Sequence, residues 1–105
     1  MAIQHIVLSK FKPSTTPADQ KKVFQTATEY LSAIPQVKKF VVGPPLSPAH
    51  ARGYNFGMAV TFEDAAALQG YIQHEKHVAL VKAIGPYTQD MLAYQIDTST
   101  GQAKL

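Results

Sequence analysis

At 105 residues the chain has room for one domain of ordinary size, and its composition is 46% hydrophobic and only 16% charged. The net charge of +3 comes from lysines scattered in pairs (Lys10 and Lys12, Lys21 and Lys22, Lys38 and Lys39), with no aromatic-interleaved basic run, which argues against a nucleic-acid partner. Without cysteine there is no disulfide framework and no thiol nucleophile, and no apolar run nears the roughly 20 residues that cross a bilayer, so no membrane partner is expected.

The opening Met-Ala-Ile-Gln-His lacks a basic stretch followed by an apolar one. No secretory leader is therefore expected, and a soluble, cytoplasmic protein is. Residues 3–12 read as a strand in which Ile3, Val7 and Phe11 alternate with Ile6 and Leu8, so both faces are apolar. Thr16 suits a helix N-cap, Pro17 the first helical position and Asp19 the first turn. From there Val23, Phe24, Ala27, Tyr30, Leu31 and Ile34 recur at helical spacing until Pro35. Residues 37–43 predict a short second strand, closed by Pro44-Pro45, and residues 44–53 a long proline-rich loop. A third strand follows over 54–62, with Tyr54, Phe56, Met58, Val60 and Phe62 on one face. Asp64 then caps a second helix carrying Ala65, Leu68, Tyr71 and Ile72, whose pattern resumes at His77, Val78, Leu80 and Val81 and stops at Gly85-Pro86. Residues 91–97 predict the fourth strand, and 99–105 a flexible C-terminal tail behind a domain of residues 1–98.

This order, β-α-β-β-α-β, predicts an α+β, ferredoxin-like fold with two helices on one face of a four-stranded antiparallel sheet. The other face would be bare. A strand apolar on both sides does not suit such an exposed face, so the chain is expected to form a homodimer, closing two sheets into an α+β barrel.

The densest chemical cluster is Tyr71-Ile72-Gln73-His74-Glu75-Lys76-His77. His74 and His77 share a helical face if the helix is unbroken. His5 alternates with Ile3 and Val7, which predicts an enclosed side chain. Histidine can accept a proton near neutral pH, and a tyrosine can hold a developing enolate by hydrogen bonding. A histidine within a strand also reads as a hydrogen-bonded core or interface residue. A metal site built from His5, His74, His77 and Glu75 matches no standard zinc spacing, so none is expected. No glycine-rich phosphate loop is present, and His50 is expected in an exposed loop.

Three segments occur in order and at matching separations: the run from Ile3-Gln4-His5 to Phe11-Lys12, the pair Gly53-Tyr54 followed by Ala59-Val60-Thr61-Phe62-Glu63-Asp64, and Tyr71-x-x-His74-x-x-His77. Together they resemble the stress-responsive A/B barrel (Dabb) family across roughly residues 2 to 98. Within it the chain is similar to plant polyketide cyclases, which work without a cofactor. Those lyases close a linear polyketide thioester into an aromatic acid by intramolecular aldol condensation. The resemblance implies His77 as general base and Tyr71 as its partner, with His5 in the cavity and Phe24 in the wall of an alkyl pocket; His74 is expected to orient His77. It also implies two departures: Phe56 stands where the cyclases carry a pocket histidine, and Ala27 where they carry a pocket tyrosine.

Two functions follow as expectations. The first is a cofactor-independent cyclase-like lyase acting on a carbonyl-rich phenolic or polyketide ligand, with His77 and Tyr71 catalytic and His5, Phe24, Phe56 and His74 binding substrate. The second is a non-enzymatic stress-responsive dimer. The ending Ala103-Lys104-Leu105 is similar to a peroxisomal address, the alternative to a cytoplasmic location if the source is eukaryotic.

Overall fold

The structure, a computed structural model, describes residues 2–102. Along the chain run β1 (Ile3–Phe11), α1 (Pro17–Ser32), β2 (Lys39–Gly43), β3 (Phe56–Phe62), α2 (Ala65–Gln73), α3 (Glu75–Ile84) and β4 (Thr88–Asp97). They form one four-stranded sheet in the order β2-β3-β1-β4, every neighbour antiparallel, which is the ferredoxin-like arrangement. The Ala103-Lys104-Leu105 tripeptide lies outside the described residues. Among those residues no helix is long and apolar enough to cross a membrane.

Helix α1 begins as its sequence dictates. The Thr16 hydroxyl accepts the Asp19 N–H at 3.1 Å and Pro17 fills the first position. Its stripe of Val23, Ala27 and Leu31 is buried on the sheet. The Asp64 carboxylate likewise accepts the Ala67 N–H at 2.8 Å and starts α2. Asp64→Ala is expected to cost about 1 kcal/mol of stability, read from the urea midpoint, because that N–H then lacks its cap.

The second helix is not continuous. His74 has extended backbone (φ −66°, ψ 139°) and divides the expected segment into α2 and α3. Its N–H donates to the Tyr71 carbonyl at 3.1 Å, closing α2. Its Nδ1 accepts the Lys76 N–H at 3.0 Å and its carbonyl accepts the His77 N–H at 3.0 Å, opening α3. Among the described residues the sheet therefore carries three α-helices, and His74 and His77 do not share one helical face. Strand limits differ too: β2 starts at Lys39, β3 at Phe56 and β4 at Thr88. Residues 54 and 55 instead anchor the preceding loop, as the Asn55 N–H donates to Ser9 O (3.1 Å) and its side-chain oxygen accepts the Phe11 N–H (2.8 Å). At the far end the Thr98 N–H donates to Ala2 O at 2.9 Å.

β1 lies between β3 and β4 in the sheet. Ile3, His5, Val7, Ser9 and Phe11 are buried toward the helices. The opposite face carries the cross-strand row Val41–Ala59–Ile6–Tyr94 and the row Gly43–Gly57–Leu8–Leu92. Among the described residues no α-helix covers this face, and Val41 and Tyr94 are 70% and 60% exposed.

Candidate functional site

His5 on β1, Tyr71 at the end of α2 and His77 in the first turns of α3 meet on the helix side of the sheet. The His5 and Tyr71 rings are 5.8 Å apart between centroids and nearly edge to face; Tyr71 and His77 are 4.5 Å apart. Phe62 backs the group, 4.8 Å from Tyr71 and 6.1 Å from His5. The elements bring them together for local reasons. Strand alternation turns His5 inward with Ile3 and Val7, and the break at His74 turns α3 so that His77 comes over Tyr71.

Hydrogen bonding sets the tautomer of each neutral ring. His77 Nδ1 is 2.9 Å from the Ile72 carbonyl. A carbonyl only accepts, so Nδ1 carries the proton and Nε2 keeps a free lone pair. His5 Nδ1 accepts from the Gln95 side-chain amide at 2.8 Å, leaving its proton on Nε2. Tyr71 is completely buried, and its hydroxyl has no hydrogen-bond partner among the described residues. Such an orphaned hydroxyl costs about 1–3 kcal/mol. Burial pushes the Tyr71 pKa up to about 12, so it remains a neutral donor.

Burial first, and then the nearby His77, holds His5 below its ordinary value of 6.5. The unfolded chain therefore binds more protons at this residue just below that value. Stability is expected to rise with pH through the window between the lowered folded pKa and 6.5, and to fall as pH drops through it. Urea midpoints measured at about pH 7.5 and about pH 5.5 test this: the drop on acidification should be smaller in His5→Gln than in the wild type.

The other expected site residues lie elsewhere. Phe24 stacks on Phe56 (5.5 Å, 5°), and both meet Phe11 edge to face. Phe56 pairs with Ser9, four residues along β1 from His5, or about 13 Å at strand spacing. The Val7–Met58 pair stands between the two aromatic groups. His74 serves as the cap described above. No cluster of three or more metal-ligating side chains occurs among the described residues.

A hollow of about 690 Å³ lies on the other face of the sheet, beneath the 44–55 loop. Of the six expected site residues only Phe56 borders it; His50, expected as an exposed loop residue, also lines it. Nothing in local periodicity marks this hollow. Its signal was the pairing of Gly43 with Gly57, which becomes visible only once the register is known.

The sequence model of the Stress responsive A/B Barrel Domain matches residues 3–97. The chain is similar to olivetolic acid cyclase of Cannabis sativa, 28% identical over 95 residues, covering 90% of this chain and 94% of that one. Among solved structures it is similar to a Dabb family protein with a ferredoxin-like fold from Mesorhizobium loti, at 30% identity and a TM-score of 0.79, covering 91% and 95% of the two chains. It is also similar to a dimeric ferredoxin-like protein from Thermobifida fusca, at 27% identity and a TM-score of 0.81, covering 91% and 90%. With nearly its whole length matched, the chain belongs to the stress responsive A/B barrel domain family.

Proposed function

We propose that the protein is a homodimer and a cofactor-independent lyase of the cyclase kind, acting on a carbonyl-rich, partly apolar molecule. The carrying observation is the pairing of a free His77 Nε2 with a buried, unpartnered Tyr71 hydroxyl. Nε2 takes a proton from carbon beside a carbonyl, and the Tyr71 O–H donates to the enolate oxygen. The enolate carbon attacks a second carbonyl of the same molecule, forming the ring C–C bond; the resulting alkoxide regains the proton from His77, loss of water aromatises the ring, and hydrolysis of the thioester releases the thiol and leaves the acid. His5, held neutral by burial, lies against the Tyr71 ring and shapes the site without adding charge. The likeness to olivetolic acid cyclase supports this reaction class, and the dimeric Thermobifida fusca neighbour supports the assembly.

The test is aromatic-acid formation from a linear poly-β-ketoacyl thioester, followed by mass spectrometry in the wild type and in His77→Ala. Turnover lost in the variant supports the reading, and turnover retained overturns it. The complete burial of Tyr71 favours a second reading, in which the cluster is core packing in a non-enzymatic stress-responsive dimer. That reading expects no turnover from the wild type on polyketide or phenolic substrates and only a stability loss in His77→Ala.

A further inference from the structure

We propose that the hollow on the open face of the sheet is a second ligand site, taking a small apolar molecule that ends in a carboxylate. This goes beyond the reading above and does not depend on His77, which lies on the opposite face. The hollow has a cause in the sequence. Gly43 and Gly57 are cross-strand partners; Leu8 packs over Gly57, and the missing side chain of Gly43 leaves a depression bounded by Ile6, Leu8 and Ala59. A Cβ added at Gly43 would meet nothing within 4 Å, so the space is free. At about 690 Å³ it falls in the range of small-molecule pockets, and its lining is mostly apolar.

Charge selects the ligand's head. Arg52 and His50 line the hollow, and among the described residues no carboxylate does. Among the described residues Arg52 has no acidic partner; the single ion pair joins Lys10 to Asp90 at 3.8 Å. Arg52 is held in the left-handed region (φ 53°), a conformation that costs a non-glycine residue energy and persists where surrounding structure enforces it. That enforcement is visible. The Tyr54 N–H donates to Ala51 O at 3.0 Å, Asn55 is tied to Ser9 and Phe11, and the Lys10 ammonium sits 5.0 Å over the Tyr54 ring. An unpaired guanidinium on a pinned loop above an apolar floor matches a carboxylate with an alkyl or aryl tail. In the proposed face-to-face dimer the hollow would lie between the two copies, so the site is tested on the intact protein.

The test is calorimetric titration of the intact protein with octanoate and with 1-octanol, alongside amide chemical shifts. Octanoate is expected to bind and to shift Ile6, Leu8, Ala59 and Arg52, with 1-octanol about tenfold weaker or more. Arg52→Gln should weaken octanoate by about the same factor and Arg52→Lys should recover part of it, both residues sharing the same backbone strain. Gly43→Leu should abolish binding by filling the space. His77→Ala should leave octanoate binding unchanged, which separates this site from the proposed catalytic one. Equal affinity for the alcohol, shifts at Tyr71 and His77 instead, or no binding because the partner copy fills the hollow would each overturn the proposal.

Discussion

His77→Ala is expected to lower turnover of a linear poly-β-ketoacyl thioester by about 10²–10⁴-fold, the usual contribution of a positioned general base. The substitution removes the one imidazole whose tautomer is set for the task, with Nδ1 bonded to the Ile72 carbonyl and Nε2 free. Its companion, Tyr71→Phe, should move activity and stability in opposite directions. Loss of the enolate donor is expected to reduce turnover by about 10²-fold. The same change removes a buried hydroxyl that has no partner, so stability should rise by about 1 kcal/mol, read from the urea midpoint. A core tyrosine with no catalytic task would show the gain without the loss. A tyrosine whose hydroxyl finds a partner in solution would show destabilisation, and the proposed role would then fail.

Tyr94→Asp is expected to convert the proposed dimer to a monomer. Tyr94 lies on the uncovered face of β4, 60% exposed in the single protomer, so a carboxylate there leaves the fold of each chain intact. Against a second sheet the same carboxylate would be buried without a cation, and a two-fold assembly places it there twice. An unpaired buried charge costs roughly 3–5 kcal/mol, so the dimer should weaken by about 10³-fold or more. Sedimentation velocity reads this directly, with Lys22→Asp on the exposed side of α1 as a control that should remain dimeric. If Tyr94→Asp sediments as the wild type does, the open face is not the interface and some other surface must cover Val41, Leu92 and Ile96.

The order of elements was legible because it rests on local chemistry. Alternation marked β1, the spacing of Val23, Ala27 and Leu31 marked α1, and Thr16 and Asp64 marked the helix starts. The same alternation turned His5 inward. Strand limits were less legible, because Tyr54 and Asn55 continue the apolar-polar alternation while their backbone bonds belong to the loop.

By itself the sequence determined the order of strands and helices, the Thr16 and Asp64 caps, the inward face of β1 and the candidate trio of His5, Tyr71 and His77. Only the tertiary structure decided how they combine. The break at His74 was hidden because an imidazole accepting a backbone N–H is outside the usual set of cap residues. The separation of Phe24 and Phe56 from the histidines, the orphaned Tyr71 hydroxyl and the hollow over Gly43 and Gly57 were hidden for a different reason. Periodicity is a property of a few consecutive residues, whereas these features depend on which residues stand opposite each other across strands and helices. That choice is made by register and packing between segments far apart in the chain.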